Sequence, residues 1–359
     1  MLVHICCSVD SHHFLEKLKE DFPTKNLIGF FYDPNIHPYS EYQLRLLDVQ
    51  QSCENLGIKL YEGDYDFVQW FQFVKGLENE PEKGDRCTVC FDTRLEVSAK
   101  KAKELGCTQF TTSLLISPKK SQEKLEIIGH KLALKYELEF VFKDYRSGNG
   151  MELQSKAVKE NKLYRQNYCG CLFGLTAQRL QQNKLLDEMM SPITNQILPE
   201  SIEERIELYK KRNKFQKENK EFKIIKERFL NYRILSGLIT VDKEVVPSYF
   251  LAYSTLKNKK TSGQIEYTLN NISYLNRDET KFITLEYFNY LAKTDFKNIY
   301  DVIKNPLIFE NEIRIRNLIS KSSFDISCII IVDVIPEKKI EILLQSEIFD
   351  DVREVIMEE

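Results

Sequence analysis

Leu2-Val3-His4-Ile5-Cys6-Cys7-Ser8-Val9-Asp10 is an apolar run that breaks into two adjacent thiols and a carboxylate. Residues 2–9 read as a short buried strand, and an amphipathic helix follows at His12 to Glu20. The pattern then repeats. Leu27 to Tyr32 is a strand closed by the turn Asp33-Pro34-Asn35, Glu41 to Leu56 is helical by period, and Gly57 stops it. Ile58 to Tyr61 is a third strand, Glu96 to Leu105 a helix ending at Gly106, and Gln109 to Leu115 another strand. Gln122 to Tyr136 and Glu139 to Phe142 complete the series as helix and strand. Strands alternating with helices predict an α/β fold with a doubly wound, Rossmann-like parallel sheet. Ligands of such sheets sit beyond the carboxyl ends of the strands, near the point where strand order reverses. Cys6-Cys7, Tyr32 to Asn35, Thr111-Thr112-Ser113 and Asp144-Tyr145-Arg146 all fall at strand ends, so the polar residues collect on one rim.

After Cys171 the texture changes. Ala177 to Met190 reads as a helix, and Ser191-Pro192 and Leu198-Pro199 punctuate a linker. Ser201 to Tyr232 reads as one long helix rich in Lys and Arg, with interleaved Glu that makes a solvated face its default reading and an RNA-contacting face the minority one. Beyond residue 240, short β-like runs such as Ser327 to Val334 mix with helices. The expected division is a domain over 1–190 and a mainly helical α+β extension over 191–359, without a catalytic motif of its own.

A chain of 359 residues can build more than one core. Its net charge of −3 argues against broad, non-specific coating of nucleic acid but leaves room for a local basic patch. No apolar run approaches the roughly 18 residues that span a bilayer, and Met1 to Cys7 lacks the basic start and small-residue cleavage site of a signal peptide. The expected compartment is the cytoplasm, where nine cysteines serve metal or redox chemistry before disulfides.

Six of those cysteines form three short clusters: Cys6-Cys7, Cys87-x-x-Cys90 and, within Tyr164-Arg165-Gln166-Asn167-Tyr168-Cys169-Gly170-Cys171, the pair Cys169 and Cys171. Thiolate pairs suit zinc, copper(I) or iron–sulfur chemistry, and six exceed the four ligands of one tetrahedral ion. Adjacent side chains on an extended segment point to opposite sides, so Cys6 and Cys7 are expected to serve two neighbouring centres. Asp10 adds a hard oxygen donor that a single iron accepts. A structural zinc site or two is the plain alternative. Cys53, Cys107 and Cys328 are isolated and read as small core residues, and His12-His13 reads as surface.

Several motifs in order resemble one family. They are His4-x-Cys6-Cys7-x-x-Asp10, Tyr32-x-Pro34-Asn35-Ile36-His37-Pro38 with Glu41-Tyr42 and Arg45, and Arg86-Cys87-x-x-Cys90-x-x-x-Arg94-Leu95-Glu96. Phe110 to Lys119, Asp144-Tyr145-Arg146 and Tyr164 to Cys171 continue the series over residues 2–175. Together they resemble the cobalamin-independent epoxyqueuosine reductases of the QueH type. The resemblance implies a HUP-type sheet and a [4Fe–4S] cluster beside a mononuclear iron. It assigns Cys6, Cys7, Cys87, Cys90, Cys169, Cys171 and Asp10 as ligands. Cys87 and Cys90 are expected on the cluster with one cysteine from each other pair, the remaining two joining Asp10 on the lone iron. In the related ATP-pyrophosphatase folds a glycine-rich phosphate loop stands where this chain has Cys6-Cys7, so ATP binding is not expected here.

The implied reaction is a two-electron removal of the epoxide oxygen of epoxyqueuosine in the tRNA wobble nucleotide, with electrons from an external donor. Tyr32, Tyr164 and Tyr168 are the candidate proton donors beside Asp10. Recognition of an anticodon loop uses aromatic stacking and phosphate contacts. Asn35, His37, Tyr42, Arg45, Thr112, Arg146, Arg165 and Gln166 are the candidate substrate contacts, with Tyr39 as a stacking residue and Lys119-Lys120 able to reach the backbone. The rivals are a zinc-stabilised RNA-binding or scaffold protein without redox activity, and a sulfur-transfer enzyme of tRNA modification.

Overall fold

The first sheet of this computed structural model, which describes residues 1–277 and 279–358, is built around Leu2–Ile5 (β1), buried along its whole length. Strands β2 (Ile28–Phe31), β3 (Lys59–Glu62), β4 (Gln109–Thr112) and β5 (Glu139–Phe140) complete it in the order β3-β2-β1-β4-β5. Every pairing is parallel: Leu2 stands opposite Ile28 on one side and Phe110 on the other. Strand order therefore reverses at β1, and the crevice of a doubly wound sheet opens at its carboxyl end, where Cys6 and Cys7 stand.

Eight helices are packed into or run from this part of the chain: α1 (Ser8–Asp21), α2 (Tyr39–Asn55), α3 (Phe67–Phe73), α4 (Asp85–Glu104), α5 (Gln122–Tyr136), α6 (Gly150–Glu160), α7 (Leu172–Gln182) and α8 (Ile202–Lys217). The core joins Leu2, Val3, Ile5, Phe30, Phe31 and Phe110 of the sheet to Phe14, Leu15 and Leu18 of α1, Val49 of α2 and Leu95 of α4.

The sheet agrees with the sequence reading, and several boundaries move for local reasons. The first strand stops at Ile5 because Cys7, in extended backbone, is the N-cap of α1. The fourth stops at Thr112, whose hydroxyl accepts from Leu114 N–H and starts a 3₁₀ turn over Ser113–Ile116. The helix expected from Glu96 begins at Asp85, which places Cys87 and Cys90 in its first turns. Phe67–Phe73 and Gly150–Glu160 are helices the sequence did not announce. The long helix expected over 201–232 ends at Lys217. Asn219 takes a left-handed conformation, and Phe222–Val241 leaves it as a strand rich in Ile, Leu and Phe.

The chain divides into two compact units. The first comprises Met1–Met189 with Arg205–Ile224 and Ile356–Glu359, and the second comprises Met190–Glu204 with Ile225–Val355. A break at Met189 lies beside the expected boundary, while Arg205–Ile224 goes with the first unit instead of the extension. The extension is α+β, with more strand than a mainly helical region holds. One of its sheets runs Ile265–Leu269, Ile272–Leu275, Lys281–Thr284, Ile329–Val332 and Ser248–Phe250 in spatial order. Ile329–Val332 is buried at every residue, with Ile329 and Ile331 clustering with Leu285, Phe288, Ile299 and Ile315.

Candidate metal centre

Cys6 sits in a bend and Cys7 caps α1, so the alternation of a pleated strand no longer applies to them. Their sulfurs lie 3.7 Å apart, which corrects the expectation that they point to opposite sides. Asp10, one turn into α1, brings Oδ2 to 3.8 Å from Cys6 Sγ, and the three donor atoms fall within 4.8 Å of one another. All three residues are buried. Gln154 of α6 donates to Asp10 Oδ1 (3.1 Å) and to Val9 O (2.9 Å), which fixes the carboxylate. Burial raises the pKa of Asp10, opposed by Lys120 and by hydrogen bonds from Ser117 and Gln154.

The second pair sits on a loop held from three sides. Arg45 donates to Cys169 O and Tyr168 O (both 3.0 Å), and its Nε meets Glu41 Oε1 at 2.7 Å. His37 N–H donates to Gly170 O (2.8 Å), and the Tyr168 hydroxyl donates to His37 O (2.6 Å). Gly170 has φ +106°, and a Cβ there would come within 2.9 Å of Ile36 and 3.1 Å of Arg45, so no other residue fits this bend without displacement. Cys171 leads directly into α7 and packs with Cys90, Trp70 and Phe173. The third pair, Cys87 and Cys90, lies three residues apart on α4 and so on one helical face.

Nitrogen donors are already aimed at these sulfurs. Lys120 Nζ lies 3.0 Å from Cys169 Sγ, Gln166 Nε2 3.0 Å from Cys7 Sγ, and Lys83 N 3.3 Å from Cys87 Sγ. Burial works against ionisation of Cys169, but Lys120, with Arg45 and Arg94, holds its pKa below the usual thiol value. Cys7 is pushed up, first by its contact with Cys6 and then by burial. Burial pushes Cys90 up and takes Cys171 to about 12, with Cys169 adding to the latter. Six unpaired thiols and a carboxylate, some already solvated by N–H groups, make a donor set that fits soft metal chemistry.

A cavity of about 170 Å³ borders this group, lined among others by Cys6, Asp10, Lys120, Gln154, Gln166 and Cys169. Asp33 and Arg94 form a buried ion pair beside it. Burial lifts Asp33 to about 6 against the pull of Arg94.

The candidate substrate residues separate into two groups. Arg165, which is exposed, and Gln166 line the cavity, as does Arg45, although Arg45 is committed to Glu41 and the cysteine loop. Asn35, His37, Tyr42 and Thr112 are buried scaffold. His37 Nδ1 donates to Asn35 O (2.9 Å), the Tyr42 hydroxyl donates to Glu62 (3.0 Å), and Thr112 Oγ1 meets His4 Nδ1 at 2.9 Å. Arg146 donates to Ser117 O (2.9 Å) and Lys120 O (3.0 Å), clamping the loop that carries Lys120. Of the three tyrosines, Tyr168 lines the cavity; the hydroxyls of Tyr32 and Tyr164 donate to Asp66 (3.3 Å) and Glu41 (3.0 Å). Burial raises the pKa of all three phenols.

Sequence reasoning missed Gln154, because its helix was not recognised, and sent Lys120 outward when it is buried. His12 and His13 are buried as well, His12 Nδ1 meeting Ser52 Oγ at 2.8 Å. Glu41 and Arg45 carried a readable signal in their four-residue spacing.

The family model described as Epoxyqueuosine reductase QueH matches residues 1–177. An epoxyqueuosine reductase QueH of Helicobacter pylori is 43% identical over 360 residues, covering 96% of this chain and 97% of the relative. One of Histophilus somni is 39% identical over 180 residues, 49% of this chain and 72% of the relative. Among solved structures, a U34-tRNA thiolase NcsA of Methanococcus maripaludis with its [4Fe-4S] cluster aligns with a TM-score of 0.31 at 15% identity, covering 60% of this chain and 72% of that one. With 43% identity sustained through both compact units, the chain belongs to the epoxyqueuosine reductase QueH family.

Proposed function

We propose that this chain reduces the epoxide of epoxyqueuosine in the tRNA wobble nucleotide to the alkene of queuosine, using a [4Fe–4S] cluster beside a mononuclear iron. Two electrons from an external donor and two protons are consumed, and the oxygen leaves as water. The observation that carries this reading is the convergence of Cys6, Cys7 and Asp10 at the edge of a cavity that Cys169 also lines. Two sulfurs and one oxygen leave a four-coordinate ion one ligand short. Cys87, Cys90, Cys169 and Cys171 then remain for the cluster, which takes four thiolates. This differs from a division that splits the Cys6-Cys7 pair. When bound, the iron supplies single electrons and a Lewis acid for the epoxide oxygen.

The protein's part is to hold these groups and admit the nucleotide. Gln154 orients Asp10 and Gln166 orients Cys7, while Arg45 and His37 fix the loop that carries Cys169 and Cys171. Tyr168 is the candidate proton donor that lines the cavity, and its hydroxyl, which donates to His37 O (2.6 Å), would have to leave that carbonyl to serve. Exposed Lys119 and Arg165 line the cavity and meet the phosphates of an anticodon loop. Exposed Tyr39 offers a ring for an unstacked base. The lysines of α8 are a poorer grip: Lys210, Lys214 and Lys217 already face Glu207, Glu218 and Glu54. The reaction belongs in the cytoplasm with its tRNA; among the described residues no helix is long and apolar enough to cross a membrane.

Anaerobic purification followed by iron and acid-labile sulfide analysis tests the metal content, and nucleoside mass spectrometry of treated tRNA tests the reaction. Iron with sulfide and conversion of epoxyqueuosine to queuosine are expected. Stoichiometric zinc without sulfide, in an anaerobic preparation, would overturn the reading.

A further inference from the structure

Lys120 is an unusual lysine. Its side chain is buried, and its ammonium lies 3.0 Å from Cys169 Sγ. The loop that carries it is pinned by Arg146, which donates to the carbonyls of Ser117 and Lys120. Phe91 of α4 offers a ring face 5.9 Å from Nζ.

The charges around the cavity make its position informative. Arg94 and Arg45 are each matched by a buried carboxylate, Asp33 and Glu41. Each pair is partly self-compensated, and the pull of Arg45 and Arg94 on Cys169 is smaller than that of Lys120. Lys120 is directed at a sulfur instead, with Cys87 and Asp10 also within its field. Burying an ammonium is costly unless an acceptor stands beside it, and Cys169 Sγ, 3.0 Å away, fills that place.

We propose that Lys120 is a positioning residue that acts through Cys169: its fixed positive charge stabilises the iron–sulfur site and raises its reduction potential. Reduction adds an electron to a site already crowded with thiolates. A cation held 3.0 Å from one ligand sulfur favours the reduced form more than the oxidised one. Net charge and hydrogen bonds to sulfur are established determinants of cluster potential. The inference rests on Cys169 being an iron ligand.

The test is an EPR-monitored redox titration of the anaerobically loaded full chain, comparing wild type with Lys120→Gln, Lys120→Met and Lys120→Arg, each with its iron and sulfide content measured. Lys120→Gln and Lys120→Met are expected to shift the midpoint to more negative potential. A tenfold loss in the one-electron reduction equilibrium, about 59 mV, is the size to look for. Lys120→Arg keeps the charge and is expected to stay near wild type. If the neutral variants fail to load while Lys120→Arg loads, the charge is needed to hold the thiolate, which also supports the proposal. A neutral variant that loads fully at an unchanged midpoint overturns it, and so does failure of all three variants to load, since the charge alone then does not suffice. A wild-type chain without sulfide defeats the iron–sulfur reading itself, a result distinct from these.

Discussion

The sulfurs of Cys6 and Cys7 stand 3.7 Å apart, on adjacent residues, where a strand turns into a helix. Two thiolates that share one tetrahedral ion with bonds of about 2.3 Å are about 3.8 Å apart, so the pair is already spaced for a common metal. Asp10 joins them from the first turn of α1. Cys6→Ser, Cys7→Ser and Asp10→Asn are therefore expected to lose the same iron, about one per chain, and to retain sulfide. Epoxide reduction should fall by at least about 100-fold in each, more than the 10- to 100-fold typical of a lost outer-shell partner. Iron and sulfide counts on the purified variants check this. Loss of sulfide in step with iron would mean that Cys6 and Cys7 serve the cluster.

Asp33 and Arg94 are both almost fully buried and face one another beside the cavity. Breaking such a pair from one side leaves an uncompensated charge and costs about 3–5 kcal/mol. Arg94→Met and Asp33→Asn are each expected to lower the unfolding free energy measured by urea titration by that amount. The double variant should recover much of the loss, because no lone charge then remains. Losses that simply add would mean the two side chains do not depend on each other.

The sequence made the sheet legible because β1, β2 and β4 are short apolar runs with polar residues at their carboxyl ends, and that alternation survives any local shift. The three cysteine pairs stand out in the sequence by their close spacing alone, whereas the helix that carries Cys87 and Cys90 on one face shows only in the fold. The relation between Cys6 and Cys7 was hidden, since it depends on the strand ending at Ile5 and not Val9. Lys120 was hidden for a different reason. A lysine beside Lys119 in a polar loop looks solvated, and only packing against Phe91 and Cys169 turns one of the two inward. The strand Phe222–Val241 was masked because Lys223, Lys226, Glu227 and Arg228 continue the charged pattern of α8, although its Ile, Leu and Phe favour a strand.

Arg212 of α8 is fully buried against Asp48, which also accepts from Ser8 Oγ and from Tyr164 N (2.9 Å). Its guanidinium lies over the Tyr209 ring, which packs on Tyr164. The segment Arg205–Ile224 thus completes the interior behind Ser8 and the cysteine loop, although it follows the linker in sequence. A chain truncated after residue 190 would leave Asp48 without its cation. It is expected to express poorly or to melt well below the full chain. Arg212→Met in the full chain should cost about 3–5 kcal/mol in a urea titration. A truncated chain with full-length stability would show that the first unit needs nothing beyond Met189.

Lys119 and Arg165 are exposed cations at the cavity, whereas Arg45 and Arg146 are bonded into the scaffold. Replacing both with Ala is expected to raise KM for tRNA with little change in kcat. It should also flatten the dependence of KM on salt, since each phosphate contact releases counterion. Steady-state kinetics between about 50 and 200 mM salt checks both features. A fall in kcat at unchanged KM would place these residues in the chemistry instead.

In the second unit, Glu312 is buried, and its carboxylate accepts from the Tyr249 hydroxyl, from Gln196 Nε2 (2.5 Å) and from Ala252 N (2.9 Å). Burial outweighs these donors and lifts its pKa from 4.5 to about 7. Between those values the folded unit keeps a proton that the unfolded chain has released. The associated stability is full below pH 4.5 and is lost as pH rises through 7, up to about 3 kcal/mol. Glu312→Gln is neutral throughout and is expected to flatten that slope. Its amide has one acceptor oxygen where Glu312 offers two, Oε1 to Tyr249 and Gln196 and Oε2 to Ala252 N–H, so its stability starts lower at pH 5 and converges with wild type by pH 8. Urea titrations of both proteins across this range measure the slope directly, and parallel curves would assign the pH dependence to another group.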